Sequence, residues 1–331
     1  MNATIHAVAL ALACAGLAVA GQETANAQAW PDKPIRFLCP FPAGGAADAV
    51  TRMLALKYTE ALGRQVVVDN RAGAGGNIGV ELAARAAPDG HTILLASSSN
   101  FAFAPSLEAN LPYDPLRDFA PIALAVLVPN ILVAHPSVPV QSVKDLIALA
   151  KASPGTITFA SPGTGTTSHL IGELFARSAG IKLVHIPYKG GAPASNDLLG
   201  GHVQLLFGSI STSLPNVKAG RLKALGVTSA RRSDAAPDIP TLAESGLPGF
   251  DVVQWFGVTA PAATPAAIVK RLNAETQRAL ASADLRDGLL RQGLDPAAPN
   301  SPQQFATFMR EELARWARFF KEAGLKLEQV R

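Results

Sequence analysis

The chain is poor in cysteine: of 331 residues, two are cysteine, Cys14 and Cys39. The first falls in an N-terminal leader, and the one that remains beyond it can form no internal disulfide or dithiol redox pair. Cys39 ends an apolar run and reads as a small buried hydrophobe. Long apolar runs are also missing. Beyond residue 29 none reaches the roughly 18 uninterrupted apolar residues of a membrane-spanning helix. Charged residues make up only 16%, with no block of one sign. The net charge is +4, or +5 once residues 1–29 and their single charged side chain, Glu23, are removed. That balance attracts small anions at long range and forms no nucleic-acid footprint. Catalytic signatures are absent as well. There is no GxSxG, HExxH or CxxC, and without GxxxxGK[ST] there is no phosphate-anchoring lysine. Gly163-Thr-Gly165 begins like a dinucleotide fingerprint but lacks its third glycine. The five later histidines, His91, His135, His169, His185 and His202, show no metal-ligand spacing. The expectation is a non-enzyme without metal or cofactor.

Residues 7–20, AVALALACAGLAVA, form an apolar stretch too short to span a membrane. Polar residues follow, and then Ala25-Asn-Ala27 or Ala27-Gln-Ala29, both A-x-A-like. This is an export signal, residues 1–29, cleaved near Ala27 or Ala29, although its start carries no Lys or Arg. The expected location is the periplasm. The remaining length suggests two domains.

From Trp30 onward, apolar runs alternate with helical patterns, which implies α/β architecture with mainly parallel sheets flanked by helices. Helices are expected at 47–61 and at 75–87, the latter with Ile78, Leu82 and Ala86 on one face. Strands at 119–126 and 130–134 are expected on either side of Pro129. The segment 37–52, FLCPFPAGGAADAVTR, carries the main functional signal. A strand over 35–39 breaks at Pro40 and Pro42, opens through Phe41, Ala43, Gly44 and Gly45, and enters a helix near Ala46. Such a turn presents unpaired backbone N–H groups at the positive end of a helix dipole, a ready anion site.

Related turns recur at 161–168 (SPGTGTTS), 188–195 (YKGGAPAS) and 207–215 (FGSISTSLP). Each follows an apolar strand, is rich in Gly, Ser or Thr, and contains no acid. In open α/β sheets ligands bind beyond the carboxyl ends of the strands. These three turns therefore form one rim of a cleft, and the turn at 40–48 with 97–103 (SSSNFAF) forms the other. Asp48 reads equally as a first-turn carboxylate favoured by the dipole or as an acceptor facing the cleft. Arg52 stands at i+4 to neutralise it. His169, beside the second turn, is either a donor to a ligand or locally hydrogen-bonded. Lys189 reads as a solvated loop lysine. Trp255 and Phe256 read as core. Phe101, Phe103 and Phe41 suggest an apolar or aromatic ligand body only if their rings face the cleft.

These segments carry a family resemblance. WPDKPIRFLCPFPAGGAAD (30–48), VVVDNRAGAGGNIG (66–79), APDGHTILLA (87–96), LPYDPLRDFAPIA (111–123), ITFASPGTGTTSHL (157–170) and HIPYKGGAPASNDLLGGHV (185–203) together resemble the exported solute receptors of the tripartite tricarboxylate transporter system. These are often called Bug receptors, after the Bordetella uptake genes. The resemblance implies a monomeric, two-lobed periplasmic binding protein joined by a hinge. Its first lobe would be 30–128 plus 253–331, and its second the inserted 129–252. It implies that the turns at 41–48 and 161–166 pinch a ligand carboxylate through backbone N–H groups and ordered water. That brings in Ser161, Gly163, Thr164, Gly165 and Thr166, with further contacts at Ser98, Ser99, Gly190, Gly191 and Ser209. The implied partners are a small organic anion and the membrane permease subunits that receive it. The alternative is a sensor ectodomain to which the loaded receptor signals.

Overall fold

The structure is a computed structural model and describes residues 30–323 apart from 109 and 165. The export signal, Gly165 and residues 324–331 therefore lie outside the described residues.

The expected alternation is present. The strands are β1 (Ile35–Cys39), β2 (Val66–Asn70), β3 (Thr92–Ser97), β4 (Phe119–Ala134), β5 (Thr158–Ser161), β6 (Val184–Pro187), β7 (Leu205–Ser209), β8 (Lys223–Val227), β9 (Val253–Pro261) and β10 (Asp295–Pro296). The helices are α1 (Ala46–Leu62), α2 (Asn77–Ala84), α3 (Ala104–Leu107), α4 (Val143–Ala152), α5 (Thr167–Ala179), α6 (Gly191–Leu199), α7 (Ile210–Lys218), α8 (Ala266–Ala281), α9 (Ala283–Arg291) and α10 (Pro302–Ala323). The strands order as β2-β1-β3-β9-β4-β7-β5-β6, with β8 and β10 each paired to β4.

Parallel pairs lie at both ends of this order: β1 with β2 and β3, and β5 with β6 and β7. Between them runs an antiparallel spine. Strand β9 pairs with β3 and with the first part of β4, as far as Pro129 opposite Val253. From Asn130 onward β4 pairs instead with β7 and β8. One strand thus serves both halves of the molecule. The break expected at Pro129 is a change of partner, and the chain stays extended through it. Proline's fixed φ suits a strand, and its missing N–H falls where the ladder changes hands.

Helix α1 shows why the pattern is readable. Val50, Leu54, Tyr58 and Leu62 recur every four residues and are buried. Gly63 (φ 65°) ends the helix in a left-handed conformation, its N–H returning to the Thr59 carbonyl. Helix α2 corrects the expectation for 75–87. Gly75 and Gly76 are left-handed, which delays the start to Asn77. The buried face is Asn77, Gly79, Val80 and Ala83, while Ile78 and Leu82 are 53% and 37% exposed. Gly79 dictates this orientation: a Cβ there would lie 2.6 Å from the Arg71 carbonyl oxygen and 3.0 Å from Pro40 Cα.

Each half of the sheet is covered by apolar clusters on both faces. Helix α10 belongs to both halves. Phe305 and Met309 pack with Phe101, Phe119 and Trp255, whereas Trp316, Phe319 and Phe320 pack with Phe103, Phe175 and Phe250. Cys39 is fully buried, as read. Phe101 and Phe103 are 1% and 5% exposed and belong to these cores, so the premise for an aromatic ligand body falls for Phe101. Phe103 also borders the larger cavity.

Candidate functional site

The strand ends open into two adjoining cavities of about 790 and 370 Å³ that share Ser99 and Gln254. The smaller is bordered by Phe41, Pro42, Ala43 and Gly45 of the first turn, with Ser97 and Ser98. The larger is bordered by Thr166, Gly191 and Ser209 of the other turns, across from Ser99 and Asn100. The two rims therefore face one continuous cleft.

Among the helices that begin on this cleft, four that follow the predicted turns lack a side-chain cap: α1 at Gly45, α5 at Thr166, α6 at Gly190 and α7 at Ser209. None of α5, α6 and α7 has an acid in its first turn. Away from the cleft, α8 and α9 also lack side-chain caps, whereas α4 begins differently. The Ser142 hydroxyl accepts from the Asp145 N–H, and an acid occupies its first turn. The cleft helices thus direct uncapped N–H groups and positive dipole ends into one space. Two glycines are required by conformation. Gly44 (φ 89°) and Gly190 (φ 118°) adopt left-handed geometry that β-carbons disfavour.

Asp48 is buried and turned under the first loop. Its Oδ2 accepts from the Gly44 N–H and from Arg52 Nε, both at 2.9 Å, and its Oδ1 accepts from Asn70 Nδ2 at 2.9 Å. Asn70 Nδ2 also donates to the Phe41 carbonyl at 3.0 Å. Burial pushes the Asp48 carboxyl upward, but the bonds from Arg52, Gly44 and Asn70 outweigh it and hold the group below its usual range. Of its two readings, the geometry gives Asp48 the work of bracing the turn.

The second turn is braced in the same manner. The Ser161 hydroxyl accepts from the Gly163 N–H at 3.1 Å and lies 2.6 Å from His185 Nε2. The Thr166 hydroxyl donates to the Gly163 carbonyl at 2.7 Å. His169 is buried, 3.7 Å from Glu173 Oε1, and stacks on His185 with centroids 4.0 Å apart. Of the expected residues, Phe41, Pro42, Ala43, Gly45, Ser98, Ser99, Thr166, Gly191 and Ser209 border the cavities. Gly44, Asp48, Ser161, Gly163, Thr164, His169 and Gly190 stand behind or beside that surface. Lys189 is exposed and Trp255 is core, as read, while Phe256 also borders the smaller cavity.

The sequence reading passed over Asn77, Asn100, Glu108, Asn130 and Gln254, all of which border the larger cavity. The signal for Gln254 was available: an amide stands alone in the apolar strand VVQWFGV. Asn130, in VPNILVA, is marked in the same way.

The histidine pair carries a pH prediction. Burial, and then the neighbouring His169, push His185 down from 6.5 to about 4, and burial pushes His169 down as well. As pH falls from 6.5 toward 4, the unfolded chain takes up protons that the folded pair refuses. Stability is therefore full above 6.5 and declines through that window. Unfolding midpoints measured across it should fall, and His185→Gln should flatten the slope. A flat wild-type profile would contradict the assignment.

Two lobes on a shared antiparallel spine, with a cleft between facing strand-end turns, define a two-lobed solute-binding protein. Comparison with known proteins makes the class specific. The chain belongs to the family described as tripartite tricarboxylate transporter family receptor, which matches residues 50–325. It is 39% identical to Protein BugT of Bordetella pertussis (strain Tohama I) over 329 residues, covering 99% of each chain. Among solved structures it is similar to Rpa4515 of R. palustris with adipate, at 35% identity and TM-score 0.75, covering 90% of this chain and 99% of that one. It is also similar to MatC (Rpa3494) of Rhodopseudomonas palustris with bound malate, at 32% identity and TM-score 0.71, covering 87% and 99%. The family resemblance seen in the sequence is thereby established.

Proposed function

We propose that the protein is a periplasmic receptor that closes on a small carboxylate and delivers it to a membrane permease of the tripartite tricarboxylate type. The observation that carries this reading is the convergence of four uncapped helix N-termini on one cleft. Adipate and malate in two relatives support the ligand class. In this reading a ligand carboxylate sits between the turns at 41–48 and 161–166, held by backbone N–H groups and by Ser99, Gly191 and Ser209. The first lobe is 30–128 plus 253–331, with α10 reaching across, and the second is 129–252. Closure bends β4 and β9 near Pro129 and Val253, where β4 changes partners. The receptor acts as a monomer, exported by its N-terminal signal.

The energetics suffice without a salt bridge. A hydrogen bond to a charged group contributes about 1.5–3 kcal/mol net. Four or five of them give roughly 6–15 kcal/mol before the cost of association, against about 8 kcal/mol for micromolar affinity. Neutral donors also release the ligand readily, which delivery requires.

A thermal-shift screen of the mature protein against mono-, di- and tricarboxylates, amino acids and neutral analogues tests the reading. A ligand at about a hundred times its dissociation constant adds ~2.7 kcal/mol, a rise of roughly 4 °C. Hits confined to acids are expected. No shift with any acid, on protein freed of carried-over ligand, would sink the proposal.

A further inference from the structure

The cleft of this anion receptor holds one acidic or basic side chain among its described lining residues, and it is an acid, Glu108. Both of its oxygens face a single neutral donor, Asn77 Nδ2, at 2.9 and 2.8 Å. The orientation of that amide is fixed. Asn77 Oδ1 accepts from Asn100 Nδ2 at 2.9 Å and from the Tyr113 hydroxyl at 2.7 Å, so the nitrogen points at Glu108. An ionised carboxylate offers about four acceptor sites, and one amide nitrogen cannot fill them. Glu108 is thus a positioned carboxylate with acceptor capacity left toward the cavity.

A second acceptor borders the same space. Asn130 is 6% exposed, and its Nδ2 donates to the Phe207 carbonyl at 3.1 Å, which fixes the amide. Its Oδ1 is buried without a hydrogen-bond partner. Asn130 stands opposite Ser209 in the β4–β7 pairing, so this acceptor lies at the turn end of the cleft and Glu108 alone marks the remote end.

The spacing is set by one wall. A π-helical turn over Ser99–Phe103 continues into α3, and Glu108 follows at the C-terminal end of α3 with extended backbone. Ser99 and Glu108 thus stand at opposite ends of this wall, on the order of 10 Å apart along it. A gap of that order is spanned by a chain of about six carbons.

We infer that the ligand carries a cationic nitrogen at the end remote from its bound carboxylate. The receptor selects an ω-amino carboxylate over the dicarboxylate of equal length. A second ligand carboxylate would meet Glu108 as a like charge, whereas an ammonium would meet it as a partner. This inference rests on the receptor reading above, with one carboxylate held at the turns.

The test is calorimetric titration of the mature wild type and Glu108→Gln with hexanedioate, 6-aminohexanoate and hexanoate. The same three series are extended to chain lengths from butanoate to octanoate. The wild type should prefer the amino acid to the diacid of its length by about ten-fold or more, and Glu108→Gln should abolish that preference. Glutamine keeps the contact to Asn77, and the wild-type ratio needs no variant at all. A wild type that binds the diacid as tightly as the amino acid overturns the inference and leaves the receptor reading standing. An unchanged ratio in Glu108→Gln overturns it too. Binding by no member of any series fails the receptor reading itself, and this inference with it.

Discussion

Ser99→Asp is expected to weaken carboxylate binding by about 10²–10³-fold without lowering the unfolding midpoint. Ser99 is half-buried and borders both cavities, at the point where the two rims approach. Two like unit charges about 4 Å apart at an effective dielectric constant near 20 repel by roughly 4 kcal/mol, nearly a factor of 10³. Screening in an open cleft brings the lower bound to ~10². The new carboxylate stands in the first turn of a helical segment, a position the backbone dipole favours, so the fold does not suffer. Ser99→Asn, similar in size and neutral, should change affinity by less than about ten-fold. Calorimetric titration with any acid that stabilises the wild type reads both variants. Wild-type affinity in Ser99→Asp would place the bound carboxylate elsewhere.

Two neighbours in β9 should give opposite phenotypes. Trp255 is fully buried, with ring centroids 5.7 Å from those of Phe305 and Phe308 and 6.4 Å from that of Phe101. Trp255→Ala removes a large side chain from the cluster joining α10 to the first half of the sheet, at a cost of about 3–5 kcal/mol. Gln254 points the other way, as alternation along a strand demands, and borders both cavities. Gln254→Ala should cost less than ~1 kcal/mol in stability and weaken ligand binding by about ten-fold. Denaturant unfolding and titration separate the two effects. A stable Trp255→Ala, or a Gln254→Ala that unfolds early and binds normally, would reverse the assignment of faces.

The parts of the molecule legible in the sequence are those written in local chemistry. The periodicity of Val50, Leu54 and Tyr58, and the proline and glycine punctuation after each strand, placed most elements and put the facing turns on one cleft. Direction was harder to read than position. Asp48 and His169 sit in the expected turns, but their side chains brace the loops from behind, because the partners that turn them, Asn70 and His185, come from other strands. The face of α2 was misjudged because the packing of Gly79 against Pro40 and Arg71 is a tertiary fact. Glu108 carries no turn or strand signature, and only the fold brings it to one cavity with Asn77 and Asn130. The aromatic run of α10 announces a buried face without saying that it serves two cores.

The central claim is that backbone donors at converging helix ends recognise the negative charge of a carboxylate. Calorimetric titration of the mature protein with a bound acid and with its methyl ester tests this most directly, since the ester keeps nearly the same shape and loses the charge. The account predicts one site per chain for the acid, and an ester weaker by about 10²-fold or more, since each hydrogen bond to a charged acceptor falls to the strength of a neutral one. An ester that binds as tightly as the acid would contradict it.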